Sequence, residues 1–312
     1  MHLYEGNQKS INAMPLVSIV IPTYNQEDYV LDAIESARQQ TYKNIEIIIS
    51  DDCSTDGTIK IIDEYIKKNN DYRIKLIKNE INLGITGNVN KLIEYSKGKF
   101  IALFAGDDIM YPKKIEKQMQ LMESDPNCYI CYHDLDVFYV NNTKNNYLYS
   151  SRHKPREGDA SVLVRYLSFN GGCSCLVRME NKIYCNEKIK YASDWFHHIE
   201  ILAQNSGYIR YIDDVLGKYR RHESNITNIN VLSGFNEVFD MLDMIIEKYP
   251  HLRKFASNTK SERMMVYGAK LILSKIYMKG IKYMLKGFFT NPICFISFIY
   301  NARKYVMISG VR

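Results

Sequence analysis

Aspartate and glutamate are missing from the last 50 residues of the chain, although residues 263–312 contain nine lysines and arginines. The formal net charge of the whole sequence is +6. Residues 1–262 therefore hold 32 basic against 35 acidic side chains, a net charge of −3. A nucleic-acid-binding body would carry a basic patch or stripe, so we expect no nucleic-acid partner. The basic tail is instead expected to meet an anionic surface.

The sequence also lacks the cysteine spacing of a small disulfide framework. Its seven cysteines are an odd number, and this usage predicts free thiols in a reducing compartment. The alternative is a zinc site built from Cys128-x-x-Cys131 and Cys173-x-Cys175. It is disfavoured because Cys128 and Cys131 fall on a predicted strand, where residues three apart point to opposite faces.

No signal peptide is visible, since residues 2–7 lack a basic region followed by an apolar core. This predicts a cytoplasmic protein that is peripheral on the inner face of the cell membrane through its basic tail. Residues 1–14 are expected to be a disordered leader before the first apolar run.

Glycine-rich phosphate loops are absent as well. No G-x-G-x-x-G follows the first apolar run, and no G-x-x-x-x-G-K-[ST] occurs in the chain. A phosphate-bearing ligand would have to be bound in another way. A divalent metal on carboxylates can supply the charge that a glycine loop and a helix dipole otherwise supply.

What the sequence does contain is a strand, a loop and a helix, repeated four times. The repeat predicts βαβ units that build a parallel sheet in an α/β fold. We expect Asn25 to cap the first helix and Pro112 to begin the fourth. The apolar runs that predict the strands lie at 17–21, 45–50, 74–77 and 100–104.

Polar side chains follow each predicted strand, at the edge where the carboxyl ends of parallel strands meet. Ligands bind at this edge in open α/β sheets. The adjacent acids Asp107 and Asp108 suit a divalent cation that also holds a diphosphate. The alternative is that Gly106-Asp107-Asp108 is only a turn or helix cap. The residues gathered at this edge are Thr23, Tyr24, Asp51, Asp52, Asn82, Gly84, Asp107 and Asp108.

Four motifs in this order resemble those of family 2 glycosyltransferases with a GT-A fold. They are residues 17–25, residues 50–58, Asn82-Leu83-Gly84 with Asn90, and Gly106-Asp107-Asp108. The likeness covers about residues 15–225 and implies a catalytic domain over 15–228. Such a domain has a mostly parallel, Rossmann-like nucleotide-binding sheet flanked by helices, with an acceptor-side extension. A helical C-terminal region, residues 229–312, would follow.

The resemblance implies that a nucleotide lies over the ends of the first two strands. Its base would pack on Thr23 and Tyr24, while Asp52 reads the edge of uracil with Asp51 beside it. The remaining members of the implied nucleotide site are Asn25, Asn82, Gly84 and Asp107.

A divalent metal, Mn²⁺ or Mg²⁺, is the cofactor that the resemblance implies. In the family, the D-x-D-type motif binds the ribose and the metal on the diphosphate, and this motif corresponds to Asp107 and Asp108. Members often carry a further aspartate where this chain has Ala105. The acid that binds the metal is therefore left open between Asp107 and Asp108.

The acceptor side of the fold is expected after residue 124. Residues 129–140 predict a long strand followed by a polar turn, residues 155–168 a helix, and residues 171–177 a glycine-led strand. Residues 191–206 predict a helix that begins near Asp194. In the resembling enzymes an acid at this place is the catalytic base.

Asp194 is therefore the implied base. The alternative is that Asp194 or Ser193 only caps the helix. The two roles are compatible, because a carboxylate at a helix N-terminus has its charge favoured and its direction fixed. The same position tends to lower its basicity.

Residues 216–225 resemble a Tyr-Arg-x-His segment that closes the catalytic domain in many of these enzymes. Arg220 and His222 are candidates for contact with the diphosphate or the metal, since guanidinium and imidazole bind such groups. The alternative is a solvated basic turn.

The C-terminal region predicts a helix over 230–248 and a second helical region that runs to about Lys286. Four lysines of this second region, at 4-3-4 spacing, would share one helix face: Lys275, Lys279, Lys282 and Lys286. Residues 287–302 carry no charge, but they are too few and too broken by Asn291-Pro292 to span a membrane. This profile favours an interfacial anchor. The alternative is a helix packed on the catalytic domain.

Together these features predict transfer of a sugar from a nucleotide-diphosphate sugar, UDP-linked, to an acceptor hydroxyl. The resemblance implies an inverting, metal-assisted reaction, and the tail suggests a lipid-linked saccharide acceptor in cell-surface polysaccharide synthesis. A non-catalytic nucleotide-sugar-binding or scaffold protein is one alternative. A sugar-nucleotide pyrophosphorylase is another, but it would have a first loop rich in glycine and arginine, unlike residues 22–25.

Overall fold

The chain folds into two compact units, residues 1–160 with 168–228, and residues 161–167 with 229–312. The computed structural model describes residues 14–140, 143–167, 169–223, 225, 231–296 and 298–299. Except for Met14, the predicted leader lies outside the described residues. The end of the predicted tail, residues 300–312, lies outside them too.

Half of the sheet in the first unit consists of parallel strands. In sheet order these are β3 (Ile74–Lys78), β2 (Ile45–Asp51), β1 (Val17–Thr23) and β4 (Phe100–Leu103). Their pairings are all parallel, and every residue of β2 is buried. Strands covered by helices on both faces read as continuous apolar runs, which is the pattern of this sequence. The predicted parallel α/β sheet is confirmed.

The helices that follow these strands are α1 (Val30–Arg38), α2 (Thr58–Asn69), α3 (Gly84–Tyr95) and α4 (Lys114–Ser124). Two predicted starts are wrong. Asn25 lies five residues before α1 and has a positive φ of 51°, so it does not cap that helix. A two-residue strand, β5 (Ile109–Met110), follows the acidic turn, and α4 begins two residues after Pro112.

The other half of the sheet is mixed. Next to β4 lie β8 (Leu176–Arg178), β6 (Cys128–Tyr139), β9 (Tyr208–Arg221) and β5, and β7 (Tyr147–Leu148) pairs with β6. The predicted polar turn between β6 and β7 is partly described, as a 3₁₀ turn at Thr143–Asn145.

Three helices lie between the mixed strands in the sequence, and two of the predicted boundaries need correction. Short α5 (Tyr149–Arg152) follows β7, and α6 (Ala160–Tyr166) is shorter than the predicted 155–168. The glycine-led segment is a 3₁₀ turn, Gly172–Ser174, before β8 begins. The helix that carries Asp194, α7 (Ser193–Asn205), lies where it is predicted.

The second unit contains α8 (Val231–Lys248), α9 (Arg253–Leu273) and α10 (Tyr277–Thr290). The single helical region predicted before Lys286 is wrong. It breaks at residues 274–276, where Lys275 has a φ of 64°. Lys275 therefore lies between two helices and does not share a helix face with the other three lysines.

Helices α9 and α10 form an antiparallel hairpin in which glycines bring the two backbones together. A methyl group on Gly268 would lie 2.6 Å from the Gly280 carbonyl oxygen, and one on Gly287 would lie 2.7 Å from the Ser261 carbonyl oxygen. The Ser261 hydroxyl donates to the Gly287 carbonyl at 2.7 Å. Such contacts require residues without a side chain. Among the described residues, no helix is long and apolar enough to cross a membrane.

Candidate functional site

Backbone hydrogen bonds join the ends of the first three strands into one edge. The Asp52 amide donates to the Thr23 carbonyl at 2.9 Å, and the Asn79 amide donates to the Asp51 carbonyl at 2.9 Å. The Asp52 carboxylate extends this edge, because its Oδ1 accepts from the Leu83 amide at 2.8 Å and from Asn79 Nδ2 at 3.1 Å. Asp52 thus holds the loop that leads into α3.

Asp51 and Asn25, two of the predicted nucleotide residues, have local partners instead. The buried Asp51 carboxylate accepts from the amide and the hydroxyl of Ser54, at 2.9 and 2.6 Å. Asn25 Oδ1 accepts from the Thr55 amide at 2.8 Å, and its own amide donates to Ser54 Oγ at 2.9 Å. These bonds join the first two loops.

Tyr24, Asn82 and Gly84 lie exposed at the same edge. The Tyr24 ring is 46% exposed, which leaves it accessible for stacking. Asn82 Oδ1 accepts from the Gly84 amide at 3.0 Å, and Gly84 has a φ of +73°, a conformation that favours glycine. The exposed loop before α3 therefore depends on Asn82 and Gly84 for its shape.

The acidic turn holds its two carboxylates in different environments. Asp108 is buried, and its Oδ1 accepts from the Arg220 amide at 2.8 Å. The Cys173 thiol lies beside the same carboxyl group, and this contact lowers the pKa of Asp108. Burial, reinforced by the neighbouring Asp107, raises the pKa of Asp108 well above its ordinary value.

Asp107 points toward the end of β9. Its Oδ2 lies 3.0 Å from His222 Nε2 and 3.3 Å from Asn225 Nδ2. One carboxylate oxygen beside an imidazole nitrogen is a donor set that Mn²⁺ or Mg²⁺ can use, with remaining positions left for a diphosphate or water. No three His, Cys, Asp or Glu side chains of the described residues form a complete metal cluster.

Arg220 is a structural clamp on this turn. Its Nε donates to the Asp107 carbonyl at 2.7 Å, and Nη2 donates to Asp32 Oδ2 at 2.7 Å. The guanidinium lies between the rings of Tyr29 and Phe138, 4.8 and 4.9 Å from their centroids. Because Arg220 is buried near the end of β9, this segment is not a solvated turn.

Asp194 lies in the first turn of α7 and is partly exposed. The N-cap position of α7 is Ala192, which makes no side-chain cap hydrogen bond. Asp194 Oδ1 accepts from the Trp195 amide at 2.7 Å, a bond that lowers its pKa. Desolvation of the carboxyl group by the surrounding protein has a larger effect than this hydrogen bond. It raises the pKa of Asp194 above its ordinary value. The predicted lowering of its basicity is wrong.

The 3₁₀ turn before β8 connects the two acidic elements. A methyl group on Gly172 would lie 3.4 Å from Asp194 Oδ2, while the next residue, Cys173, lies beside the Asp108 carboxyl group. Asp108 and Asp194, far apart in the sequence, therefore flank one short turn. Asp107 also lies within electrostatic reach of Cys173, so this turn is close to all three acidic residues.

Sequence reasoning missed several residues of this site. Five side chains support the acidic turn, but they come from separate elements and form no motif. They are Tyr29, Asp32, Phe138, Cys173 and Asn225. A further missed residue is Gln26. A methyl group on Gly106 would contact Gln26 Oε1 and lie 3.3 Å from Thr23 Oγ1, so the acidic turn packs against the first loop. Gln26 Oε1 and Thr23 Oγ1 are buried without a hydrogen-bond partner among the described residues.

The cysteines and paired histidines do not form a metal site. All seven cysteines are free. This agrees with the prediction of free thiols. His197 and His198 are buried on α7, and burial lowers the pKa of each to about 4. Both imidazoles are therefore neutral at physiological pH.

Comparisons with known proteins identify the family of the chain. A family model described as Glycosyl transferase family 2 matches residues 18–181, more than half of the chain. The uncharacterized glycosyltransferase RP339 of Rickettsia prowazekii is 31% identical over 319 residues, covering 93% of this chain and 92% of RP339.

A shorter match is to the putative teichuronic acid biosynthesis glycosyltransferase TuaG of Bacillus subtilis. It is 40% identical over 111 residues, covering 36% of this chain and 43% of TuaG. The match therefore spans less than half of that relative's length. Among solved structures, S. aureus TarS 1-349 in complex with UDP-GlcNAc superposes with a TM-score of 0.65 and 18% identity, covering 87% of this chain and 79% of that one. The likeness to TarS establishes a common fold.

Proposed function

Because the chain belongs to glycosyl transferase family 2, we propose that it transfers a sugar from a nucleotide-diphosphate sugar to an acceptor hydroxyl. The observation that carries this proposal is the turn at Gly172 and Cys173, which links Asp194 to the acidic turn. Residues 15–228 form the catalytic domain in this proposal.

Asp194 acts as the general base. A base must have a pKa near the working pH and must be reachable by the proton that it removes. Desolvation raises the pKa of Asp194, and its partial exposure leaves a route for an acceptor. As Asp194 takes the acceptor proton, the acceptor oxygen attacks the anomeric carbon from the side opposite the diphosphate. This displacement inverts the anomeric centre.

Asp107 and His222 would hold a divalent metal, Mn²⁺ or Mg²⁺. When bound, such a cation offsets the charge that develops on the leaving diphosphate. Arg220 and Asp108 support these residues without binding the metal. The Arg220 guanidinium donates a hydrogen bond to the Asp107 carbonyl, and the Asp108 carboxyl group accepts one from the Arg220 amide. Their role in this proposal is to fix the direction of Asp107.

This function is tested by incubating the purified protein with a panel of nucleotide sugars, Mn²⁺ or Mg²⁺ and saccharide acceptors. We expect metal-dependent release of the nucleoside diphosphate from a UDP-sugar. Binding without turnover on every donor and acceptor would instead favour a non-catalytic nucleotide-sugar-binding or scaffold protein. Formation of a nucleotide sugar from a sugar phosphate would favour a pyrophosphorylase.

The donor nucleotide is uridine diphosphate in this proposal, supported by the UDP-GlcNAc bound to TarS and by the exposed Tyr24 ring. Asp52→Asn should weaken UDP binding by about 10- to 100-fold, the value of one hydrogen bond to a charged group. Asparagine keeps the oxygen that accepts from Leu83 and Asn79. It replaces the second oxygen by an NH₂ group, which cannot accept a hydrogen bond from the N–H of the uracil imide.

Thermal shift with UDP and GDP at a fixed metal concentration measures this effect. We expect UDP to stabilise the native protein more than GDP, and Asp52→Asn to reduce only the UDP shift. Glu64→Gln, at an exposed acid on α2, is the control that should leave both shifts unchanged. Equal shifts for the two nucleotides with the native protein would contradict a base-reading role for Asp52.

In this proposal the C-terminal region binds an anionic lipid surface on the cytoplasmic side of the membrane. The sugar acceptor is a lipid-linked saccharide. At about 100° per residue, the apolar side chains on the outside of α10 fall within about 80° of its circumference. Its three lysines fill the next arc, and Gly280 and Gly287 lie opposite, against α9. The outer residues are Met278, Ile281, Leu285 and Phe289, with Lys279, Lys282 and Lys286.

Changing the three lysines of α10 to glutamate should weaken binding to anionic vesicles by a factor on the order of 100. Each lysine near such a surface contributes about 1 kcal/mol, screened over a Debye length. Liposome co-sedimentation at low and high salt measures the effect. The matched control changes three exposed lysines of α2, Lys60, Lys67 and Lys68, to glutamate. Equal loss in both triple variants, or no binding by the native protein, would contradict an anchor on α10.

A further inference from the structure

The segment between β8 and α7 lies along the outside of α3. Residues 182–189, here called the strap, have no regular secondary structure and run antiparallel to the helix. The Thr86 hydroxyl donates to the Ile189 carbonyl at 2.7 Å, and Lys182 Nζ donates to the Glu94 carbonyl at 2.5 Å. Asn90 makes the contacts between these two. The three helix residues are four apart, so they share one face of α3.

Asn90 binds the strap through both atoms of its carboxamide. The Cys185 amide donates to Asn90 Oδ1 at 2.7 Å, and Asn90 Nδ2 donates to the Cys185 carbonyl at 3.0 Å. A second bond from Nδ2 reaches Glu187 Oε1 at 3.1 Å. The side chain thus satisfies both backbone groups of Cys185, as a neighbouring strand would.

The other side of the strap contacts the helix that carries Asp194. His197 Nε2 lies 2.6 Å from the Ile183 carbonyl, and His197 is three residues after Asp194 on α7. A carbonyl oxygen can only accept a hydrogen bond. The neutral imidazole of His197 therefore has its proton on Nε2 and donates to that carbonyl. Cys185 also lies within electrostatic reach of Asp194, which contributes, after burial, to raising the pKa of the thiol to about 12. The strap is therefore held between α3 and the first turn of α7.

We propose that Asn90 is a positioning residue for Asp194, which it places by pinning the strap to α3. This inference rests on the base role proposed for Asp194. The sequence resemblance contains Asn90 but leaves it without a role, and the three bonds of its carboxamide commit it to the strap. Helix α3 begins beside the loop that Asp52 holds, so the same helix connects the donor side of the site to the base.

Asn90→Ala removes both bonds to Cys185 and should release the strap. We expect kcat to fall by about 10- to 100-fold, because a displacement on the order of 1 Å can cost that much. The donor KM and the thermal shift with UDP should stay within a factor of two, since Asn90 does not contact the loops that build the donor side. Alkylation of Cys185, followed by peptide mass spectrometry, should become at least 10-fold faster.

Three further variants isolate the contact. Glu187→Gln leaves both Asn90–Cys185 bonds intact, and Lys91→Ala changes the neighbouring side chain on α3. Both should keep native turnover and native alkylation of Cys185. Thr86→Val removes only the bond to Ile189 and should give a smaller fall in kcat, with the fold preserved. It keeps the test valid if Asn90→Ala does not fold.

Unchanged alkylation of Cys185 in Asn90→Ala would overturn the proposal, as would faster alkylation with native kcat. Equal changes in kcat and in donor affinity would also overturn it, because they indicate a general loss of structure. Native turnover by Asp194→Asn would instead contradict the base role itself, and with it the reason for positioning. Loss of turnover with native alkylation in Asp194→Asn, beside loss of turnover with faster alkylation in Asn90→Ala, would support the proposal.

Discussion

Asp194→Asn should lower turnover by a factor on the order of 100 to 10,000 while donor affinity stays unchanged, as expected when a general base is removed. Asparagine has nearly the same shape, and its Oδ1 can still accept from the Trp195 amide. The position of the side chain is therefore kept, and its ability to take a proton is lost. Steady-state kinetics with the UDP-sugar and acceptor, beside thermal shift with UDP, separates turnover from binding.

The stability of the same variant provides an independent check. The pKa of Asp194 is raised above the ordinary value of 3.8, so the folded state binds its proton more tightly than the unfolded state. This group's contribution to stability therefore falls as the pH rises from 3.8 through the folded pKa. At neutral pH the asparagine variant should melt at the same temperature or higher, and the difference should vanish near pH 4. A lower melting temperature with native turnover would indicate a structural residue.

Asp107→Asn should abolish the divalent-metal dependence of nucleotide-sugar binding and reduce turnover to the level seen without metal. The carboxylate oxygen of Asp107 faces His222 Nε2, so its loss removes half of the proposed donor set. Asp108→Asn should have a much smaller effect on metal affinity. Asp108 is buried, and an asparagine oxygen can still accept from the Arg220 amide.

Titration of Mn²⁺ at a fixed concentration of UDP, followed by thermal shift, distinguishes the two acids. His222→Gln serves as the companion to Asp107→Asn and should weaken the apparent metal affinity in the same direction. Asp32→Asn is the control for indirect effects, because it disturbs only the far end of the Arg220 clamp. Native metal dependence in both Asp107→Asn and Asp108→Asn would rule out the acidic turn as the metal anchor.

The strands and the edge of the sheet could be predicted because their signals are local. A buried strand is a short apolar run, and the loop after it is recognisable from its polar residues. Asp52, Asp107 and Asp194 could therefore be placed at strand and helix ends before any coordinates. Their environments could not, because Arg220, Cys173 and Gly172 reach them only after β8 and β9 pair within the sheet.

Errors arose where a local signal competes with a tertiary contact. Asn25 has the chemistry of a helix cap, but its carboxamide oxygen accepts from the amide of Thr55 in the second loop. The periodicity of lysines near residue 280 suggested a continuous helix, since a single residue with positive φ leaves that pattern intact. Helix α9 ends at Leu273, and Lys275 turns the chain back so that Gly280 contacts Gly268.

The glycine contacts between α9 and α10 also place two roles on opposite sides of one helix, packing against α9 and forming the outer surface. The side of α10 that folds the hairpin brings Gly280 and Gly287 against the α9 backbone and packs Tyr283 and Met284 on α9. Its outer residues, such as Met278 at 83% exposure and Phe289 at 75%, add little to that contact. Substitutions on the outer side can therefore accumulate without unfolding the hairpin. The chemistry of the surface that α10 presents can therefore be altered independently of the fold of the helical pair.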